Sequence, residues 1–264
     1  MILAVNIWDG DVRMGVIEEI RLRINKIRWE RWRAKQNKEL EKSYFYAWGE
    51  WNQWGNWSDV PDTCASEDDC IPGPCKDCSL TEHSATCESD QKGHIYAKAL
   101  ENWPGTILCP AGISSECYAQ IKVGKTNLYV PPWTGAQNFG YCMRVNVKLD
   151  GELRAHTDGG DAAATIDVYL DVYDHSSGSL VYSDKKMTIT ETEGIKPVNG
   201  DTHVFFSDIL SEGHYDVYAR FYGHAQVIAN ASVENPPNAY AEVDFTAESY
   251  VEVIELGYEM CFSL

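Results

Sequence analysis

The chain has no run approaching the roughly twenty apolar residues that a membrane-spanning helix needs, which predicts a soluble protein with no helical span. It has no G-x-S-x-G, HExxH, P-loop or dinucleotide fingerprint, so the common catalytic constellations find no support and an enzyme is not expected. Basic charge is scarce: 22 Lys and Arg stand against 40 Asp and Glu, a net of −18. Phosphate contacts dominate nucleic-acid binding, so this balance argues against nucleic acid as a partner of the body. Sustained helical periodicity is missing after about residue 45. Those gaps leave little room for a helical or α/β fold.

What is present is alternation. In residues 164–173, Ile166, Val168, Leu170 and Val172 alternate with Asp167, Tyr169, Asp171 and Tyr173. Successive side chains of a strand point to opposite faces, so the pattern predicts one buried row and one wet row. Similar segments cover 141–149, 180–190, 202–206, 214–232, 240–245 and 250–256. Turn signals stand between or beside them: Asp150-Gly151, Gly159-Gly160, Ser176-Ser177-Gly178, Asn199-Gly200 and Asn235-Pro236-Pro237-Asn238. Seven or eight short strands with no intervening helix predict a mainly β protein, an antiparallel β-sandwich or jelly roll. Residues 94–100 and 117–130 read as further strands, and Pro131-Pro132-Trp133-Thr134-Gly135 as a boundary. The expected organisation is an apolar tail and basic arm at 1–47, a Trp- and Cys-rich loop region at 48–93, and the sandwich at 94–264 with its main strands in 140–256.

Charge is unevenly placed. Residues 1–42 hold ten Lys and Arg against seven Asp and Glu, a net of +3, so residues 43–264 carry 12 against 33, a net of −21. Met1 to Trp8 reads as a short apolar strand, ended by Asp9-Gly10-Asp11. It is too short for the apolar core of a signal peptide, so the chain as given is expected to be a processed or mis-started form, or to leave the cell by another route. From Val16 to about Lys42 there is no Gly or Pro, and Ile17, Ile20, Ile24 and Ile27 recur at three- and four-residue steps, which predicts an amphipathic helix. Ile20, Leu22 and Ile24 alternating with Arg21 and Arg23 are the competing strand signal.

Trp48, Trp51, Trp54 and Trp57 recur every third residue in WGEWNQWGNWS. The repeat resembles the tryptophan ladder of thrombospondin type-1 repeats, over about ten residues. That family interleaves its tryptophans with arginines and follows them with a short cysteine motif, whereas no arginine lies between Arg33 and Arg144 here and no CSxTCG follows. These tryptophans are expected to cap a loop-rich subdomain or a subunit contact, with stacking on sugar rings as the alternative use of exposed aromatic faces. Asn56 and Asn230 stand in glycosylation acceptor tripeptides, which matter only in an exported chain.

Nine cysteines are many for a reduced cytosol and favour an oxidising setting, a surface or extracellular location, with hyperthermophile cytoplasm as the known exception. Cys64, Cys70, Cys75, Cys78 and Cys87 lie in sequence with little apolar material, so cross-links are expected to hold it. Cys75-Lys76-Asp77-Cys78 has the gap of a zinc half-site, with His83 or His94 able to add a ligand, but the second C-x2-C is missing and disulfides are expected instead. Cys109 and Cys117 flank a short loop that they can close. Cys142 opens the first of the main strands and Cys261 sits just beyond the last, and terminal strands lie side by side in many Greek-key sandwiches, so they are expected to pair. Asp158-Gly159-Gly160-Asp161 and Asp9-Gly10-Asp11 offer oxygens to calcium but read as turns, and no cofactor is expected. His214 and His224 read as satisfied or exposed strand histidines.

Two functions remain. The first is a self-assembling structural protein of a filament, surface layer or virion exterior, its partners copies of itself. Ile2, Leu3, Val5, Ile7 and Trp8 would complete a neighbour's sheet edge. In outline this is similar to strand-donating subunits of extracellular filaments. The second is a carbohydrate-binding or adhesive module using the tryptophan and tyrosine surface, with glycans as partners.

Overall fold

The computed structural model describes residues 55–100, 114–134, 139–158, 160–229 and 239–262. The apolar tail, the helix expected from Val16, Trp48, Trp51, Trp54, Cys109, Asn230 and the Asn-Pro-Pro-Asn turn lie outside the described residues.

Strand formation follows from period-two burial. In β4 (Lys92–Leu100), Gly93, Ile95, Ala97 and Ala99 are buried while Lys92, His94, Tyr96 and Lys98 are not. In β7 (Gly160–Asp174), Ile166, Val168, Leu170 and Val172 form the inward row, and in β10 (Gly213–Ala229) Val217, Ala219, Phe221, Ala225 and Val227 do. These rows meet Ile121, Met143, Leu149, Leu153 and Phe245 between two sheets in one core. Each fully buried Val, Leu, Ile or Phe contributes roughly 1.5–3 kcal/mol relative to exposure, so the core outweighs any single polar contact described below.

The remaining strands are β1 (Gly55–Asp59), β2 (Thr63–Cys70), β3 (Thr81–Cys87), β5 (Ser115–Val130), β6 (Phe139–His156), β8 (Leu180–Glu191), β9 (Gly194–Leu210), β11 (Tyr240–Phe245) and β12 (Tyr250–Phe262). The five-stranded sheet runs β2-β5-β10-β7-β8. The seven-stranded sheet runs β1-β12-β4-β11-β6-β9, with β3 added on β4 and β12 also paired to β6. All strand pairs are antiparallel. β11 and β12 lie end to end along β6, separated by a turn in which Ser249 N–H donates to the Thr246 carbonyl at 2.9 Å. Most connections pass from one sheet to the other, the layout of an antiparallel β-sandwich. No α-helix is found among the described residues.

Three expectations change. The expected loop region at 48–93 gives strands from Gly55 onward: β1 and β3 join the seven-stranded sheet and β2 the five-stranded sheet. Its cysteines hold strand edges as well as loop. Asp150-Gly151 and Asn199-Gly200 are not turns but lie within β6 and β9, where Asp150 faces Asn199 and Gly151 faces Val198 beside a register shift. Gly200 has φ +66°, and a Cβ at Gly151 would meet the Phe245 ring at 2.5 Å, so both glycines serve a bulge and a close approach instead of a reversal. Finally, the polar row of β7 is not wet throughout: Asp167 and Asp171 are buried.

Candidate assembly surface

The sandwich has two lateral sides, and they are built differently. On one, β2 and β3 belong to different sheets and are joined by a disulfide between Cys64 and Cys87, Cα atoms 6.0 Å apart. Cys70 at the end of β2 bonds Cys78, Cα atoms 5.6 Å apart, in the short 3-10 turn Cys78–Leu80 before β3. Asp68 reaches across from β2: one carboxylate oxygen accepts the Ala85 N–H at 3.1 Å and the other lies 2.6 Å from His83 Nδ1. A backbone donor on the outer side of β3 is thereby occupied, and an occupied edge does not recruit another strand.

Cys75 is disulfide-bonded as well, so the sulfurs of the Cys75/Cys78 gap are both consumed and the zinc half-site is not formed. No cluster of three or more metal-ligating side chains occurs among the described residues. Cys117 does not close the loop with Cys109: it is a free, buried thiol in the inward row of β5 that donates to the Lys98 carbonyl at 3.3 Å. Burial pushes this thiol up to about 12, which keeps it protonated and unreactive. Cys142 bonds Cys261, Cα atoms 5.9 Å apart. Cys142 faces Glu259 and Cys261 faces Gly140, so the bond runs diagonally between neighbouring strands, although β6 is preceded by five other strands.

On the other side, β8 closes the five-stranded sheet and β9 the seven-stranded one, joined through Thr192 and Glu193. Neither pairs with a described strand on its outer edge. Of ten large apolar side chains that stand exposed among the described residues, six lie here: Leu180 and Val181 on β8, and Ile195, Val204, Phe206 and Ile209 on β9. The exposures are 55% for Leu180, 63% for Ile195, 41% for Val204 and 40% for Phe206, so the apolar surface is accessible and not merely grazed by solvent. The two edges differ. β8 carries Asp184, Lys185 and Lys186 at its middle, with a register shift against β7 between Val168 and Tyr169, and charge and bulging both blunt an edge. β9 pairs without a shift from Thr202 to Phe206 and has no charged residue there. Pro197 sits in β9, as an edge strand permits. The turn between the two strands is anchored by Glu193, whose carboxylate lies 2.9 Å from His156 Nδ1 while His156 Nε2 is 3.2 Å from Asp158.

The outer face of the five-stranded sheet is a connected polar and aromatic surface. Asp171 accepts from Arg220 Nε at 2.8 Å and Ser183 Oγ at 2.6 Å, and Asp167 from Lys185 Nζ at 2.7 Å and Thr188 Oγ1 at 2.6 Å. Ser183, Lys185 and Thr188 are β8 side chains, so this network ties the outermost strand down and explains the burial of both carboxylates. The Arg220 guanidinium lies 4.0 Å from the centre of the Tyr169 ring. Tyr118 and Tyr222 stack at 5.4 Å. Tyr118 donates to Glu67 at 2.8 Å, which with desolvation pushes its hydroxyl up to about 12. His224 lies 2.8 Å from Glu116, and desolvation, with Lys76 nearby, lowers its pKa. His214 lies 2.7 Å from Asn127 Oδ1, so both strand histidines have partners.

Among the other predicted residues, Asn56 and Trp57 lie on β1, with Asn56 opposite Tyr258. Ile2, Leu3, Val5, Ile7 and Trp8 are outside the described residues. Asp158 engages His156 and Asp161 is exposed near the start of β7, while Gly159 between them lies outside the described residues. Sequence reasoning did not single out β9. The available signal was Val204-Phe205-Phe206: three consecutive apolar residues put apolar side chains on both faces of a strand that also carries Pro197 and Asn199-Gly200.

No family model matches the chain, and no curated protein matches it. Among solved structures, it is similar to the K1 cleaved adhesin domain of Lys-gingipain from Porphyromonas gingivalis W83 at 13% identity, over 64% of this chain and 99% of that one, with a TM-score of 0.18. It is also similar to the infectious bursal disease virus Gt strain structure at 9% identity, over 77% of this chain and 42% of that one, with a TM-score of 0.15. TM-scores this low carry no argument about fold or function. No helix among the described residues is long and apolar enough to cross a membrane.

Proposed function

We propose that the chain is a structural, self-assembling subunit of an extracellular or surface assembly, a filament, surface layer or virion exterior, and not an enzyme. Copies join when residues 2–8 of one enter an open sheet edge of the next. The observation that carries this reading is the side formed by β8 and β9, with six exposed apolar side chains on two strands that have no described outer partner. Main-chain hydrogen bonds supply affinity in such strand addition, and the alternate side chains supply specificity. The disulfides support an oxidising location. The basic arm, +3 over residues 1–42, meets a body of −21, which favours the same contact and makes it salt-sensitive.

Electron microscopy of the purified protein at rising concentration tests this directly. The full chain should polymerise, and deleting residues 1–10 should leave a folded monomer. Assembly unchanged by that deletion, or a full chain that stays monomeric at high concentration, rejects the reading.

A second reading has its own observation. The stacked pair Tyr118 and Tyr222, with Tyr169 under Arg220, gives the five-stranded sheet an aromatic outer face suited to sugar rings. A glycan array on the wild type and on Tyr222→Ala separates it from assembly: binding lost with Tyr222 and unaffected by deletion of residues 1–10 favours an adhesive module.

A further inference from the structure

We infer that the acceptor edge is β9 and not β8, over residues 202–206, and that its occupant is the apolar strand at residues 2–8 of a second copy. The inference rests on the strand-exchange reading and specifies its partner surface.

Four observations on this protein select β9. Residues 202–206 pair with residues 144–148 of β6 without a register shift, while shifts lie at either end, between Lys148 and Asp150 and between Cys142 and Arg144. A straight, bulge-free edge is the geometry an added strand needs. The segment is apolar on both faces. Val204 and Phe206 stand exposed on the outer face, and Phe205 packs against the core from the inner one. The donor is apolar on both faces too. Paired as a strand, it would put Leu3, Val5 and Ile7 in one row and Ile2, Ala4 and Trp8 in the other. The inward row would extend the core beside Phe205, and the outer row would cover Val204 and Phe206. Charge points the same way: Asp201 and Asp208 flank the acceptor segment, which suits a donor followed by a basic arm, whereas at the middle of β8 Asp184 is offset by Lys186 and Lys185 pairs with Asp167. The shift-free stretch of β8, residues 187–191, turns Met187 and Ile189 to the core and exposes no large apolar side chain, so it lacks the apolar outer face that Val204 and Phe206 give β9.

The test sets matched substitutions on the two edges of the full-length protein. Val204→Lys places a charge on β9 and Val181→Lys on β8, both at positions where the side chain is solvent-exposed. Val204→Lys should abolish polymer as completely as deletion of residues 1–10 does, with an unchanged circular dichroism spectrum, and Val181→Lys should polymerise like wild type. Wild-type assembly by Val204→Lys, or equal loss in Val181→Lys, overturns the assignment to β9. Hydrogen exchange gives a second readout that needs no polymer. A synthetic peptide of residues 1–10 added to the protein lacking those residues should protect amides at residues 202–206 and leave residues 183–187 unchanged. Protection on β8, or on neither strand, overturns the assignment as well. If deletion of residues 1–10 leaves assembly intact, strand exchange itself fails, which is a different outcome from exchange that depends on the arm but ignores Val204→Lys.

Discussion

The side formed by β2 and β3 and the side formed by β8 and β9 are equivalent places in the same sandwich, yet the chain treats them in opposite ways. The first is closed by Cys64–Cys87, with Cys70–Cys78 beside it and the Asp68 carboxylate on an edge N–H. The second has no disulfide and is held to the body by side chains: Ser183, Lys185 and Thr188 on buried aspartates, and Glu193 on His156. A sandwich needs protection on both edges to remain monomeric, and a chain with this many cysteines has the means to close both. Under the proposed assembly, the side left apolar is the one a second copy would cover.

The largest effects belong to the cross-links. In the chain-entropy relation, the Cys142–Cys261 bond spans 119 residues and is worth about 5 kcal/mol, and Cys64–Cys87 spans 23 and is worth about 3 kcal/mol. Urea denaturation of Cys142→Ala with Cys261→Ala, and of Cys64→Ala with Cys87→Ala, should give losses in that order. Non-reducing peptide mapping of the wild type should show these two links, Cys70–Cys78, a further link through Cys75, and Cys117 as a free thiol. A Cys64/Cys87 double variant as stable as wild type would mean that the closed side is not closed by its disulfide.

The open side should lose less, because its fastenings are polar contacts. Asp167→Ala removes the acceptor for Lys185 and Thr188, and a charged hydrogen-bond acceptor of this kind is worth about 2 kcal/mol. The loss should show as faster amide exchange across β8 while β2 and β3 keep their protection. Uniform destabilisation of both sides would show that the network serves the whole sheet and not the edge strand.

Strands were legible where alternation is set by one buried face. β11 begins and ends where the Tyr240–Phe245 pattern does, and β7 contains its Ile-Val-Leu-Val row at the centre. The Cys142–Cys261 bond was legible too, because outer strands of the main block lie together whatever precedes them. Asn199-Gly200 and Asp150-Gly151 were not. Each has the chemistry of a turn, and only the cross-strand register, which places them opposite one another, turns both into a bulge. The cysteine-rich stretch was misread for a related reason. β2 and β3 are short, weakly apolar edge strands stabilised by cross-links and by their neighbours, so their own composition says loop. Which strand is an edge is a property of topology, and the exposure of Val204 and Phe206 could not be read before β9 was placed.

The smallest expected effect concerns the turn that links the two open edges, and it depends on pH. The hydrogen bond that His156 donates to the Glu193 carboxylate, followed by the charges of Asp158 and Glu193, raises the His156 pKa above its ordinary 6.5. The same bond, helped by Thr157 N–H, lowers Glu193 below its ordinary 4.5. A raised histidine contributes fully below its unfolded value near 6.5 and loses that contribution as pH rises through its higher folded value. A lowered carboxylate contributes above its unfolded value near 4.5 and loses that contribution as pH falls through its lower folded value. The anchor is therefore complete between about 4.5 and 6.5 and weakens as the solution becomes neutral and then basic. Both groups are solvent-exposed, so salt should screen the effect and global stability should scarcely move. The readout is local. An NMR titration should place His156 above 6.5 in the wild type, and Glu193→Gln should bring it back toward that value. Exchange at Thr192, Glu193 and Gly194 should slow on going from basic to mildly acidic solution by more than the intrinsic chemistry accounts for, and only in the wild type. A wild-type His156 that titrates at its ordinary value would mean that the turn is held by its backbone alone.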